Sequence, residues 1–423
     1  MCRDQRTAPR CIPRPPGNWP SRSRISGPSH DEHPTAHHHD RRDIRSERFA
    51  PRFPVNTGTV TGDPPPRRSG PACRVECAHR VVAAPRLGAG PEAVAVDSTA
   101  RRAYVACSRD NAVVSVDLDQ FAPVWRAEAG KEPIPIVLDL PSGRLFTADA
   151  RSDTVTVLNA DSAARVVQLH IGQGAYPAGL GHDPERRRIF CGNTAAGTIT
   201  AIDADRLEVI GTIPAELGAG SIAVDSERGH GYCANFMAGS LTVFDTETLR
   251  PLGRITVGEG PCKTIADPRA DQLYVAGSLH GTVLRLSLAT ARPLGEIRVE
   301  RAPVGMCVTP DGSRLYVCNR GAGTVSVVDT ATGSETHRIT VGNGPGDCGI
   351  DAASGRLLVS NAGSGTLTMV DAPWLPGAAK PPTHPAVGRP IPQFALPDAR
   401  TGEIRTTREW AEKRYVIDFF ASW

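Results

Sequence analysis

The chain has 423 residues, of which 22% are charged and 5% are aromatic, and it contains 42 glycines and 37 prolines. This composition is typical of many short strands joined by tight turns. The net charge of +3 comes from the first 70 residues, which hold thirteen arginines and seven acids, so we expect no nucleic-acid binding by a folded basic surface.

The N-terminal tail, residues 1–78, is rich in proline, arginine, serine and histidine. Such a segment buries too little apolar surface to offset its ordering entropy, so we expect it to be disordered. Its run from His37 to His39 is interpreted as a solvated stretch rather than a metal site. Polar residues follow Arg41 and Arg42 where a secretion signal needs an apolar run. As written, the sequence predicts a cytoplasmic protein, or an exported one if the true start differs, with no membrane span.

A repeat with a period close to 42 residues, the range of four-stranded propeller blades, runs from residue 79 to residue 375. Each of the seven units repeats the same three positions, which are spaced ten residues apart, and the residues at one such position form a series along the chain. The middle series, here called the asparagine column, consists of Cys107, Asp149, Asn193, Asn235, Gly277, Asn319 and Asn361. The earlier series, here called the aspartate column, consists of Asp97, Asp139, Asp183, Asp225, Asp267, Thr309 and Asp351.

Each unit contains four short segments that are expected to be strands, with apolar residues at alternate positions. The seventh unit has no fourth strand after Asp371, whereas an unassigned strand, residues 79–84, precedes the first unit. We expect that strand to complete the last blade and close the ring, which leaves no free sheet edge. The predicted fold class is therefore an all-β, seven-bladed propeller of four-stranded blades over residues 79–375, and we expect a monomer.

Two segments of the sixth unit carry a resemblance to a known family. R-L-Y-V-C-N at residues 314–319 and T-V-S-V-V-D at residues 324–329 resemble the YVTN-type β-propeller repeat, whose core reads L-Y-V-T-N followed by T-V-S-V-I-D. The resemblance extends over the repeat region and implies the same fold. It implies no particular activity, because propellers host many unrelated functions.

In such a propeller, the loops from the fourth to the first strand and from the second to the third strand share one face around the central channel. Polar residues near these loops predict a binding site for a protein or a small polar ligand. The candidate ligand-binding residues are Arg109, Asp149, Arg151, Asn193, Asn235, Lys263, Asn319, Arg320 and Asn361. The alternative is structural, because Asn and Asp at strand ends bond to neighbouring backbone and set the turns.

The histidines of the repeats fall at non-equivalent positions, and the seven cysteines of the repeats are odd in number. A lactonase-like enzyme needs converging acids with a base or a metal, and a haem-binding propeller needs axial histidines. Both are kept as weaker alternatives. We expect no cofactor and no metal, and we interpret the seven cysteines as free, buried thiols.

The C-terminal segment, residues 387–423, follows a proline-rich linker at residues 376–386. G-R-P-I-P-Q-F-A-L-P-D at residues 388–398 and F-F-A-S-W at residues 419–423 resemble the start of the redoxin group, which includes TlpA-like thiol–disulfide oxidoreductases and peroxiredoxins. The resemblance implies an incomplete α/β thioredoxin-like fragment with a hairpin turn at Thr401 and Gly402. It also implies that Asp418 and Trp423 flank the position of a C-x-x-C motif.

The leading hypothesis is a partner-binding or scaffold propeller fused to a thiol–disulfide domain. Its parent protein would be a thiol–disulfide oxidoreductase or a peroxiredoxin-like protein. The chain as given is expected to be non-catalytic, because the thiolate nucleophile lies beyond it. The main alternative is a stand-alone binding propeller with a vestigial tail.

Overall fold

The computed structural model describes residues 79–371, 395–397 and 404–406. The predicted disordered tail, the linker and most of the segment that resembles a redoxin, including Asp418 and Trp423, lie outside the described residues. Within the described part of the chain, no helix has the length and apolar character needed to cross a membrane.

Residues 79–371 form 28 strands and three single-turn 3₁₀ helices, the latter at Ser108–Asp110, Leu140–Ser142 and Pro268–Ala270. The strands are β1 (Arg80–Ala83), β2 (Pro91–Asp97), β3 (Arg102–Cys107), β4 (Ala112–Asp117), β5 (Ala122–Glu128), β6 (Pro133–Asp139), β7 (Arg144–Asp149), β8 (Thr154–Asn159), β9 (Arg165–His170), β10 (Pro177–Asp183), β11 (Arg188–Asn193), β12 (Thr198–Asp203), β13 (Glu208–Pro214), β14 (Ala219–Asp225), β15 (His230–Asn235), β16 (Ser240–Asp245), β17 (Pro251–Thr256), β18 (Pro261–Asp267), β19 (Gln272–Gly277), β20 (Thr282–Ser287), β21 (Pro293–Arg298), β22 (Pro303–Val308), β23 (Arg314–Asn319), β24 (Thr324–Asp329), β25 (Ser334–Thr340), β26 (Pro345–Asp351), β27 (Arg356–Asn361) and β28 (Thr366–Asp371).

These strands form seven antiparallel sheets of four strands each, which are the blades of a propeller. Blades 1 to 6 take four consecutive strands each, from β2–β5 to β22–β25. Blade 7 contains β26, β27 and β28, with β1 as its outermost strand. Arg80 lies opposite Asp371 and Val81 lies opposite Val370, so the N-terminal strand closes the ring. The predicted seven-bladed, all-β fold with this closure is confirmed.

The core lies between neighbouring blades, where side chains of adjacent sheets interdigitate. Between blades 6 and 7, the buried Tyr316 packs in one cluster with Cys348 and Leu357. The inner strands carry small residues where neighbouring backbones approach closely. A Cβ atom at Gly179 of blade 3 would lie 1.8 Å from the carbonyl oxygen of Gly220 in blade 4.

Buried aspartates of the aspartate column join blades at the turns between first and second strands. Asp139 of blade 2 accepts two hydrogen bonds from Arg187 of blade 3, at 2.5 and 2.7 Å. Asp351 of blade 7 accepts one from Arg101 of blade 1, at 2.5 Å. Burial acts to raise the pKa of both aspartates, but the arginine hydrogen bonds outweigh it and hold each pKa below its ordinary value.

His79, directly before the closing strand β1, is half-buried. The His79 ring centroid is 5.2 Å from that of His337 and 6.3 Å from that of Tyr316. Both ring nitrogens of His79 are buried without a hydrogen-bond partner. Burial, together with the nearby charges of His337 and Arg314, lowers the pKa of His79 from 6.5 to about 4.

The free energy of unfolding is therefore expected to fall as the pH drops from 6.5 to about 4. The unfolded chain binds the His79 proton first over this range, so acid favours the unfolded state. A pKa difference of this size corresponds to at most about 3 kcal/mol, and solvent screening of the half-buried ring reduces the value. The measurement is urea unfolding across this pH range for the wild type and His79→Gln. The wild type is expected to lose up to about 3 kcal/mol more than the variant, and equal losses would contradict this role of His79.

A short hairpin follows in the C-terminal segment. Its strands β29 (Ala395–Pro397) and β30 (Ile404–Thr406) pair antiparallel, with Ala395 opposite Thr406. This antiparallel pairing agrees with the expected hairpin, whereas Thr401 and Gly402, where its turn is expected, lie outside the described residues. Two-stranded hairpins occur in many folds, so this one does not establish a thioredoxin-like domain.

Candidate functional site

One face of the propeller, here called the site face, carries the loops from the fourth to the first strand and from the second to the third strand. Within these loops, Ser108 donates a backbone hydrogen bond to the carbonyl oxygen of Gly90, and Ala150 donates one to that of Glu132. The two kinds of loop are thereby fixed to each other within a blade. Side chains of these loops surround the end of the central channel.

A cavity of about 340 Å³, here called the central cavity, lies at that end of the channel. It is lined by residues of all seven inner strands, together with residues of the site-face loops. The charged residues in its lining are Glu92, Glu132, Lys263, Arg320 and Asp347. The cavity is therefore central to the ring and polar at its mouth.

Two ion pairs cross the central cavity. Lys263 Nζ of blade 5 lies 2.8 Å from Asp347 Oδ2 of blade 7, and Arg320 of blade 6 pairs with Glu92 of blade 1. Each pair bridges over an intervening blade. Gly305 of blade 6 lies against the backbone of blade 7 at the first pair, since a Cβ at this position would lie 2.3 Å from the carbonyl oxygen of Gly346 and 2.9 Å from Asp347 Oδ1. Burial acts to lower the pKa of Lys263, but Asp347 outweighs it, and the pKa of Lys263 is raised.

A second cavity of about 370 Å³, here called the basic cleft, adjoins the central cavity over blades 1 and 2. It is lined by Ser108, Arg109, Asn111, Lys131, Glu132 and Arg151, and it shares Ser108 and Glu132 with the central cavity. Three basic side chains thus face one carboxylate.

The basic residues of the cleft differ in their partners. Arg151 Nε lies 2.5 Å from Glu132 Oε2, and Arg109 Nη2 donates to the carbonyl oxygen of Ala362 at 2.5 Å. Within the described residues, the Lys131 ammonium group has no ion-pair partner. The cleft therefore carries positive charge that its own residues do not neutralise.

The asparagine column serves a structural purpose in the blades. Asn193 Nδ2 donates to Thr198 Oγ1 at 3.0 Å and to Thr200 Oγ1 at 2.9 Å, which ties the second strand to the third. Asn235, Asn319 and Asn361 each donate the same two hydrogen bonds, to the hydroxyl groups five and seven residues further along the chain.

Asp149 occupies the equivalent position in blade 2 and accepts hydrogen bonds from the hydroxyl groups of Thr147, Thr154 and Thr156. Its pKa is raised, because burial outweighs these bonds. The five candidate residues of the asparagine column are thus buried, and none of them lines the central cavity or the basic cleft. Ligand binding by them stays a prediction, and the contacts they make support the structural alternative.

The other four candidate residues come together at the mouth of the channel. Lys263 and Arg320 line the central cavity, and Arg109 and Arg151 line the basic cleft. Ligand binding by these four also stays a prediction.

Glu92, Lys131 and Glu132 were not among the candidate residues predicted from the sequence. A signal was present for Glu92, because its position in the other six inner strands is occupied by Ile134, Ala178, Gly220, Cys262, Val304 and Gly346, none of which is charged. Lys131 and Glu132 lie in a loop whose place beside the cavities depends on the ring geometry.

Five large apolar side chains, here called the apolar crescent, are exposed on site-face loops of blades 3, 4 and 5. They are Tyr176, Leu217, Phe236, Met237 and Leu279. Met237 is 70% exposed and Leu279 is 62% exposed.

The backbone of the apolar crescent is fixed by hydrogen bonds between successive loops. Thr194 N–H donates to Tyr176 O, Gly218 N–H donates to Thr194 O, and Phe236 N–H donates to Gly218 O, each at 3.0 Å. The loops that carry Tyr176, Leu217 and Phe236 are therefore tied to one another through their backbones. Clusters of exposed apolar groups of this kind are typical of interaction surfaces.

Within the described residues, no group of three or more His, Cys, Asp or Glu side chains is placed to hold a metal ion. The seven cysteines of the propeller are unpaired; five are buried and two are partly exposed.

A sequence-family model described as YNCE-like beta-propeller matches residues 74–270, which is less than half of the chain. The chain is also similar in structure to hydrazine synthase of Kuenenia stuttgartiensis, with a TM-score of 0.62 and 14% sequence identity over 71% of this chain and 99% of that chain. No curated protein sequence matches the chain. At this level of identity the structural similarity shows the fold alone, and 1719 chains of known structure match, so the comparisons do not select one function.

Proposed function

We propose that the propeller is a binding module that docks a protein partner on its site face, with an acidic segment of the partner in the basic cleft. The observation that carries this proposal is the unneutralised positive charge of the cleft beside the central cavity. Carboxylates that approach Arg109 and Lys131 gain charge-assisted hydrogen bonds, which are stronger than neutral ones.

The apolar crescent supports a protein partner rather than a small ligand. Stable protein interfaces bury roughly 800 Å² on each partner and contain large apolar side chains at their centre. The central cavity and the basic cleft by themselves suit a small ligand. Together with the crescent, which lies across the channel mouth on blades 3 to 5, they form a surface with both the charge and the apolar groups that a protein segment requires.

The test is selection of peptides from a random peptide library on the immobilised protein. We expect enriched peptides to contain several Asp or Glu residues together with Leu or an aromatic residue. Lys131→Glu is expected to weaken their binding roughly tenfold or more at low salt, because it replaces an attraction by a repulsion. Met237→Ser is expected to weaken binding without changing its salt dependence.

The matched control is Arg250→Glu, the same charge change at an exposed arginine in the loop between β16 and β17 on the opposite face. This variant is expected to bind like the wild type. Equal binding by Lys131→Glu and the wild type, or enrichment of peptides without acidic residues, contradicts the proposed acidic partner. Binding of small anions such as citrate at the cleft without any peptide enrichment contradicts the protein partner.

A second part of the proposal concerns the segment from residue 387 to residue 423. Its resemblance to the start of the redoxin group supports a parent protein in which partner binding is coupled to thiol–disulfide exchange. The test is the gene sequence beyond the codon for Trp423. A continuing reading frame that encodes C-x-x-C supports this part, whereas a stop codon or a frame without cysteines favours the stand-alone binding propeller. No observation favours a lactonase-like or haem-binding propeller.

A further inference from the structure

Three cysteines meet between blades 6 and 7. Cys307 lies on β22, Cys318 on β23 and Cys348 on β26. The Sγ atoms of Cys307 and Cys348 are 3.1 Å apart, which is closer than two sulfur atoms in ordinary contact. Cys348 is 5% exposed, and Cys307 is partly exposed. The two thiols belong to adjacent blades, so a bond between them would join one inner strand to the next.

The surroundings of this cluster favour one thiolate among the three thiols. Burial and the neighbouring Asp347 carboxylate act to raise the pKa of Cys348, but hydrogen bonds from Cys307 and Cys318, together with the charge of Lys263, outweigh them and lower it. Burial raises the pKa of Cys307 and of Cys318. The thiolate is the reactive form of a cysteine, so the lowered pKa favours Cys348 as the attacking thiol, and the Cys307 Sγ atom lies 3.1 Å from it.

We propose that Cys307 and Cys348 form a reversible disulfide between blades 6 and 7 when a peroxide reaches the propeller. Cys348 first gives up its proton, and the resulting thiolate attacks one peroxide oxygen. The O–O bond breaks, Cys348 becomes a sulfenic acid, and the hydroxide that leaves takes up the proton lost by Cys348 and becomes water. The Cys307 sulfur then attacks the sulfenic sulfur, an S–S bond forms, and the S–O bond breaks. The departing hydroxide takes the Cys307 proton and leaves as water. Two thiols are oxidised by two electrons, and one hydrogen peroxide is reduced to two waters.

The proposed disulfide would form beside a residue that lines the central cavity. Cys348 directly follows Asp347, which pairs with Lys263 across the central cavity. A covalent bond between β22 and β26 fixes the inner strand that carries Asp347 relative to blade 6. Oxidation is therefore expected to change the position of Asp347, and with it the ion pair to Lys263, at the mouth of the channel. This expectation does not depend on the protein partner proposed above.

The experiment is peptide mapping of the full chain after treatment with hydrogen peroxide. Remaining thiols are alkylated, and the protein is digested with trypsin without reduction and examined by mass spectrometry. Cleavage after arginine places the three cysteines on separate peptides, residues 302–314, 315–320 and 339–356. The expected product is peptide 302–314 linked to peptide 339–356, which separates on treatment with dithiothreitol.

Two variants and one internal standard test whether the disulfide is specific to Cys307 and Cys348. Cys348→Ser is expected to abolish the linked product, and Cys318→Ser is expected to retain it. Cys107, which is fully buried in blade 1, is expected to stay reduced in the same samples. The proposal is overturned if peroxide leaves both thiols free in folded protein, if Cys348 links to Cys318 instead, or if Cys348 ends as a sulfinic acid beside a reduced Cys307. The wild-type map decides among these outcomes even if a variant fails to fold.

Discussion

Replacement of Arg187 by methionine is expected to lower the free energy of unfolding by about 3–5 kcal/mol. Asp139 is fully buried, and Arg187 donates two hydrogen bonds to it from the neighbouring blade. Without the guanidinium group, the carboxylate remains buried with Ser142 as its hydrogen-bond donor and with His182 Nε2 at 3.3 Å. An uncompensated buried charge is far more costly than the loss of a surface ion pair.

The measurement is urea unfolding of the wild type, Arg187→Met and two controls. Asp205→Asn removes the exposed partner of the same arginine, which lies 2.7 Å from Arg187, and is expected to cost less than about 1 kcal/mol. The double variant Asp139→Asn with Arg187→Met is expected to regain part of the loss, because no buried charge remains. A loss below about 1 kcal/mol for Arg187→Met would show that Asp139 is not the charged, buried group described here.

The pH dependence gives an independent check. In Arg187→Met the burial of Asp139 is no longer opposed by the guanidinium group, so its pKa in the folded state rises above its ordinary value. A folded state that binds the proton more tightly than the unfolded chain is stabilised by acid. The difference between the wild type and Arg187→Met should therefore shrink as the pH falls.

Substitution of Gly179 by alanine is the second change with a large expected effect, a loss of about 3 kcal/mol or more. The added Cβ would lie 1.8 Å from the carbonyl oxygen and 2.1 Å from the carbonyl carbon of Gly220. Both atoms belong to the backbone of the next blade, so no change of side-chain rotamer relieves the overlap. Blades 3 and 4 have to separate at their inner strands, and the contacts of the whole interface between them are weakened.

The matched control is Gly253→Ala in β17, an outer strand, where an added Cβ has nothing within 4 Å. Alanine there restricts the unfolded chain, and the variant is expected to be unchanged or stabilised by up to about 1 kcal/mol. Thermal unfolding monitored by circular dichroism measures both variants. If Gly179→Ala unfolds at the same temperature as Gly253→Ala, the close approach of the two inner strands is wrong.

The blade architecture was predictable because it is encoded locally in every repeat. The asparagine and aspartate columns keep their spacing through seven units, and alternation along each strand marks its buried face. Ring closure by the N-terminal strand followed from a count of strands, and the pairing of Arg80 with Asp371 confirms it. The redoxin-like segment was predicted by resemblance, and its hairpin is the described part of it.

The sequence by itself therefore determined the fold, the number of blades and the general location of a candidate site on the loops of one face. The tertiary structure alone separated the buried Asn193 from the cavity-lining Lys263, although both were equal candidates in the sequence. It also brought Lys263 to Asp347, which is 84 residues away, and Cys307 to Cys348, which is 41 residues away. The physical reason is that repeat spacing fixes each strand within its own blade. The contacts across the channel and between blades depend on how seven sheets close into a ring.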